Sequence, residues 1–411
     1  MKKNALKAPA SKSKKEFHGA PKPVRRAAAA LLCTLMILSL CSCWSRRELN
    51  TLAIVLATAV DEGKESGELK VTAQIVSPGE IKSGPSSSGS KASHKAYANI
   101  DNTDESVISA LGGFTHITNR SMYFSHNRVL IFSREVAQKD VLEGLDAFTR
   151  NFETRMNVYL LISKDKAADI LDEEIELEQM PANHIAEMVE AQRSNSETAI
   201  VTLLDFDIAS LSGSTAPVAP MIEMYEVNGK KKARLEGTAV FKQGKMIGEL
   251  NVPQTRGLMW ATGKAKKATI TIDTKDGKID LLIIHAKGSM KPVKAGHGTF
   301  RMKLKVYAEG NIESNETGKN MSSVENAEML KKQAEDYIRA DIESALKHAK
   351  TLSADVFGFG EAIHRDYPKD WEKIKESWDS EFRGLGTDME IEVKIASSGG
   401  MGKPVVQGGA E

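Results

Sequence analysis

Three cysteines, Cys33, Cys41 and Cys43, fall within eleven residues, and none occurs after them. A thiol can pair into a disulfide, hold a metal, attack a substrate or carry a lipid. The clustering removes the first three options from the rest of the chain, which can contain no disulfide, no thiolate metal site and no catalytic thiol. The fourth fits the local sequence. Leu40-Cys41-Ser42-Cys43 has the pattern of a bacterial lipobox, with an apolar residue three before the acceptor and a small residue just before it, so Cys43 is the expected carrier of a diacylglycerol. Cys33 follows Leu32 and Cys41 follows Leu40, side chains too bulky for the position a signal peptidase needs small.

Other reactive groupings are sparse. Arg120, Arg150 and Arg155 lie beside Tyr123, Phe148 and Phe152, and such a trio can clamp a carboxylate or hold the fold through Asp146 and Glu153; the second use is the expected one. His116, His126 and Glu153 have no spacing that fixes a metal geometry and are read as structural. Asp172, Glu173, Glu174, Glu176 and Glu178 are read as a solvated helix face. Gly257 to Lys264 lacks the spacing and the hydroxyl of a phosphate loop, and Gly358-Phe359-Gly360 lacks the third glycine of a dinucleotide loop, so it is read as a turn. No catalytic residue, cofactor site or metal site is expected.

The segment ahead of Cys43 accounts for its export. Ala27 to Ser42 carries no charge and is rich in Ala and Leu. It follows a basic stretch in which Lys2, Lys3, Lys7, Lys12, Lys14, Lys15, Lys22, Arg25 and Arg26 oppose Glu16 alone. This is a signal peptide over residues 1–42, its apolar run shorter than the roughly 20 residues that span a bilayer. Removing it changes the electrostatics. The whole chain has 56 basic and 55 acidic residues among 411, so the part after residue 42 is net acidic, and nucleic acid is excluded as a general partner.

Cys43-Trp44-Ser45-Arg46-Arg47-Glu48-Leu49-Asn50, Val71 to Val76, Asn119-Arg120 through Val129-Leu130-Ile131, Leu235 to Lys242, and Asp355-Val356-Phe357-Gly358-Phe359-Gly360 with Pro368 and Trp371 follow one another in an order that resembles the Ger(x)C family, lipoprotein subunits of spore nutrient germinant receptors. Ser45 departs from that pattern, standing where the family usually has Asp. The resemblance implies a palmitate-type lipid anchor at Cys43 on the outer face of the cell membrane, which is the inner membrane of the spore. It also implies a non-catalytic role in triggering germination, with a multi-spanning subunit and a transporter-like subunit as partners. The residues by themselves also allow a lipoprotein that captures a solute, or a cell-envelope hydrolase.

Periodicity places these groups on an α+β fold, multi-domain, with antiparallel-rich sheets. Leu52 to Val60 reads as a buried strand and Leu69 to Val76 as a second; Asp104 to Gly112 reads as a helix with Val107, Ile108 and Leu111 inward. Asn127 to Phe132 and Met156 to Ile162 are further strands. Arg134 to Thr149, Ala167 to Ile175 and Pro181 to Gln192 are helices, and Ser83 to Ser93 is a Gly/Ser linker. Asn228-Gly229 followed by Lys230 to Lys232 is a turn and the expected boundary between domains at 44–228, with a split into lobes near 165–180, and 232–400, ahead of a tail at 401–411. The second domain holds one long helix, Val324 to Lys350, with Ser322 and Glu325 at capping-box spacing. It also holds two alternating strands, Phe300 to Val306 with a basic outer face and Met389 to Ile395 with an acidic one, which suits them to pair.

Overall fold

The computed structural model describes residues 22–40, 51–77, 95–151, 153–173, 175, 178–296, 298–321 and 323–397. Cys43, the Ser83 to Ser93 linker, Ser322 and the 401–411 tail lie outside the described residues. The chain forms two units, Met1–Thr51 and Leu52–Glu411. In the first, helix α1 (Lys22–Leu40) takes in Pro23, Arg25 and Arg26, because a proline is tolerated in the first turn, where its missing N–H has no partner to lose. Among the described residues no helix is long and apolar enough to cross a membrane.

The second unit is built on a nine-stranded sheet and a four-stranded one. β1 (Leu52–Glu62), β2 (Leu69–Val76) and β3 (Tyr97–Asp104) form an antiparallel meander, followed by α2 (Val107–Gly113) and the short β4 (Ser121–Tyr123). Next come β5 (Val129–Ser133), α3 (Arg134–Lys139), α4 (Val141–Thr149), β6 (Tyr159–Ser163), α5 (Ala167–Ile170), α6 (Pro181–Ala191) and α7 (Leu203–Leu211). β7 (Val218–Val227), β8 (Lys230–Lys242) and β9 (Lys245–Leu250) complete the sheet. Its order is β3-β2-β1-β5-β6-β7-β8-β9, with β4 beside β1. The centre, β1 to β5 to β6 to β7, is parallel, and both flanks are antiparallel.

Parallel strands need cover on both faces, and β5 shows how the sequence provides it. Leu130 and Phe132 face a core with Val136, Leu145, Phe148 and Phe206, while Val129 and Ile131 face a second core with Ile170, Ile185 and Val189. All five residues of β5 are buried. The turn at Asn228 (φ 51°) and Gly229 (φ 74°) has the left-handed pair that a tight hairpin requires, and it joins β7 to β8 inside the large sheet.

Three elements differ from the periodic reading. The helix expected over 134–149 is interrupted at Asp140 (φ −167°), whose carboxylate caps α4 by accepting from Leu142 N at 2.9 Å while Val141 N donates to Gly244 O at 2.8 Å. In α2, Val107 and Ala110 turn inward and Ile108 is 62% exposed. α5 stops at Ile170, its first amides held by buried Asp61, which accepts from Ala167 N at 2.6 Å and Ala168 N at 2.9 Å.

α8 (Val252–Ala261) leads into the second sheet, β10 (Ala268–Thr274), β11 (Gly277–Gly296), β12 (Thr299–Asn315) and, after α9 (Val324–Thr351), α10 (Phe359–Asp366), α11 (Pro368–Ile374) and α12 (Trp378–Gly384), β13 (Gly386–Ser397). β12 and β13 pair in parallel, with Leu304 opposite Met389 and Val306 opposite Ile391. Their outer faces form the anticipated charge ladder: Lys305 to Glu390 at 2.6 Å, Lys394 to Glu309 at 3.4 Å, and Arg301 to Asp388. Ser323, one residue later than read, caps α9.

α8 and α9 touch backbone to backbone. A Cβ on Gly257 would sit 2.1 Å from Asp341 O, so only glycine permits this approach. At the same place Arg256 donates to both oxygens of Asp341, at 2.6 and 3.2 Å, and to the Tyr337 hydroxyl at 2.7 Å. Both charges are buried. Removing one partner of such a pair strands the other, so Arg256→Met is expected to cost about 3–5 kcal/mol in urea denaturation, and adding Asp341→Leu to it should recover most of that loss. Equal stability of the single variant and the parent would refute the assignment.

Candidate functional site

The Asp355 to Gly360 stretch follows α9, and its geometry is set by one carboxylate. Asp355 is buried; Oδ1 accepts from Phe357 N at 3.2 Å and Gly358 N at 3.0 Å, and Oδ2 from Gly360 N at 2.8 Å. This ring of amides starts α10, whose N-cap, Gly358 (φ 76°), has no side chain to do so. Ser353 (φ 51°) turns the chain out of α9, and Asp355 O accepts from Ala216 N at 2.8 Å, tying the stretch to the loop after α7. Beneath it Trp371 and Trp378 meet edge to face at 5.3 Å, both buried, so they pack within the fold.

Three turns and one helix start enclose a cavity of about 260 Å³: the loop from Ser210 to Pro217, the β8–β9 turn from Lys242 to Gly244, Ser353 to Asp355, and Lys375 to Asp379. Lys242 spans it, donating to Ser353 O at 3.0 Å and to Asp379 Oδ2 at 2.5 Å. On its wall, Ser214 Oγ and Trp378 Nε1 are buried without hydrogen-bond partners, on either side of Gly360, where a Cβ would lie 2.7 Å from Ser214 Cβ and 2.9 Å from Trp378 Nε1. Both oxygens of Asp355 accept from backbone amides, which makes it a cap.

Arg120, Arg150 and Arg155 are all exposed. Arg150 is held by Asp146 one turn back, at 2.7 Å. Arg155 lines a second cavity, about 290 Å³, with Ser125, His126, Arg128, Tyr159 and Glu190, to which Arg120 and Arg150 do not contribute. His116 is exposed and His126 rests 5.9 Å from the Tyr123 ring. Among the described residues no three acidic, His or Cys side chains gather as a metal site. The acidic run is not a solvated helix face throughout: Glu173 is buried, accepts from Ala233 N at 2.9 Å, and lies 3.7 Å from His184 Nε2; Glu174 and Glu176 lie outside the described residues.

Burial pushes Asp355 up to about 6, against the pull of the backbone amides of Phe357, Gly358, Phe359 and Gly360. A carboxylate raised this way favours the protonated folded state, so its contribution to stability is complete below about pH 4 and is lost as pH rises through about 6. The interval from 3.8 to about 6 corresponds to about 3 kcal/mol. Asp355→Asn, neutral throughout, should be less stable than the parent by about 1–3 kcal/mol below about pH 4, because its amide group faces a backbone N–H, and the gap should close as pH rises through about 6. It should also lack the decline between pH 4 and 7 that this carboxylate gives the parent. Parallel stability profiles for the two proteins would contradict this account.

Comparison with known proteins adds to the geometry. Residues 45–224 match the family model "Spore germination protein N-terminal domain" and residues 236–399 match "Spore germination B3/ GerAC like, C-terminal". The chain is similar to Spore germination protein KC of Bacillus subtilis (strain 168), 25% identical over 93% of this chain and 98% of that protein, and to Spore germination protein YndF of the same organism, 27% identical over 90% and 96%. It shares its fold with the crystal structure of the GerBC protein, with a TM-score of 0.54 and 19% identity over 83% of this chain and 97% of that one. Both matched regions occur in order, separated only by the β7–β8 hairpin, and the cavity at Asp355 draws its walls from both; the chain belongs to the Ger(x)C family of spore germination proteins.

Proposed function

We propose that this protein is a lipid-anchored, non-catalytic subunit of a membrane receptor that senses nutrients and helps to trigger germination, held at the outer face of the spore's inner membrane through Cys43. The observation that carries the reading is the ordered match of both spore germination regions across residues 45–224 and 236–399, directly behind a basic, apolar, cysteine-ended leader. Its partners are a multi-spanning subunit and a transporter-like subunit. A subunit of this kind acts by shifting the populations of its partners, which requires sustained contact with them. A tether supplies that contact by raising the effective concentration beside the partners without new interface area.

A second reading, capture of a small solute, is favoured by the 260 Å³ cavity with its unpartnered Ser214 and Trp378. It predicts saturable stabilisation of the purified chain, about 2.7 kcal/mol at a hundred times the dissociation constant. The anchor, which both readings share, and the role of the tether are tested at Cys43. Cys43→Ala precedes the first core strand and should leave the fold intact, abolish thioether lipidation, and release the protein from the membrane. Germination should then be poor at native expression and recover in part on overexpression. Mass spectrometry that found Cys43 unmodified in the working protein would end the anchor proposal, and full germination by the unlipidated variant at native level would end the proposed role of the tether.

A further inference from the structure

Helix α7 is apolar on two sides. Thr202 and Asp205 form a capping box at its start, and Leu203 and Phe206 are buried beneath it, with Phe206 edge to face on Phe241 at 5.0 Å. At about 100° per residue, Leu204, Ile208 and Leu211 fall in one stripe on the opposite side. They are 47%, 59% and 87% exposed. Single exposed apolar residues are ordinary, but three at i, i+4 and i+7 have the spacing by which one helix seats against another.

The charges beside the stripe say what kind of surface belongs there. Asp205 lies on one flank and Asp207 on the other, toward α4. Asp207 accepts from the Thr149 hydroxyl at 3.1 Å, while the neighbouring cation, Arg150, is engaged by Asp146. Burial pushes the Asp207 carboxyl up, and the charge of Asp146 across the α4–α7 groove pushes it the same way. The groove beside the apolar stripe therefore holds more negative charge than its own cations offset. An anionic lipid surface would be repelled, and a second copy of this chain would set the same carboxylates against each other.

We propose that the exposed face of α7 docks an amphipathic helix of a different polypeptide, its apolar ridge on Leu204, Ile208 and Leu211 and its Lys or Arg side chains meeting Asp207 and Asp146. The docked helix would lie beside the cavity described above, since Ser210, the last-but-one residue of α7, and Gly213 just beyond it line that cavity. The inference stands on α7 and the adjoining α4 and does not require the lipid anchor.

The test is a photo-reactive amino acid placed at Ile208 of the full chain in spores of its own host, with Lys303, on the outer face of the small sheet, as the control position. Irradiation should join Ile208, and not Lys303, to one protein, and mass spectrometry of the joined peptide should show apolar residues at helical spacing with Lys or Arg between them. With the probe moved to Leu204, Leu211→Glu or Asp207→Lys should reduce the yield about tenfold, the equivalent of about 1.4 kcal/mol, with an unchanged thermal midpoint of the purified chain. A cross-link to a second copy of the chain, to lipid, or to a segment without basic residues would overturn the proposal. So would a yield at Ile208 no greater than at Lys303.

Discussion

The contact of α8 with α9 at Gly257, Arg256 and Asp341 holds the two sheets in one body. α8 leaves the large sheet directly after β9 and delivers the chain to β10, and it is buried along most of its length. Its place is therefore fixed by what α9 allows. Two charges taken out of water gain little net stability as a pair, but they define one register, because any slide of α9 along α8 would leave both unmatched. From that register the rest follows in chain order. α9 ends at a defined height, Ser353 turns, Asp355 collects its amides, and the α10–α12 segment is laid over the aromatic cluster of Phe359, Trp371, Trp378 and Phe382.

What could be read from the sequence was what depends on local periodicity. The unbroken apolar run of β5 and the strict alternation of β12 and β13 each state their burial in the order of their residues, and α9 announces itself by a long apolar stripe. The elements misread were those where a tertiary bond overrides the period. Asp140 breaks a good helical pattern because Val141 has a partner in the β8–β9 turn, more than a hundred residues away in sequence. Ile108 falls outside where Asn102 of β3 donates to Ala110 O at 2.9 Å and the Val107 and Ala110 side of α2 is the buried one.

The site was legible only in part, for a related reason. Asp355 and its glycines stood out as a turn, since a side chain accepting from amides two to five residues ahead is a local device. Its burial, and the cavity beside it, arise from segments that meet only in the folded chain, such as Lys242 and Asp379, 137 residues apart. Arg120, Arg150 and Arg155, read as holding the fold, are all exposed, and Arg150 has the expected partner in Asp146. The reading of Cys43 as a lipid carrier rests on its flanking residues alone, and that residue lies outside the described ones.

The position of β1 in the large sheet also has a mechanical meaning. The first strand among the described residues is not an edge: it is hydrogen-bonded to β2 on one side and to β4 and β5 on the other. A pull on the start of β1 along the strand axis loads these bonds together, in shear. A pull at right angles to a strand instead opens one bond at a time. A protein held from this end can thus be dragged, jostled or pushed by its surroundings while its central layer resists opening, and its endurance under load becomes a matter of how slowly it unfolds rather than how stable it is at rest.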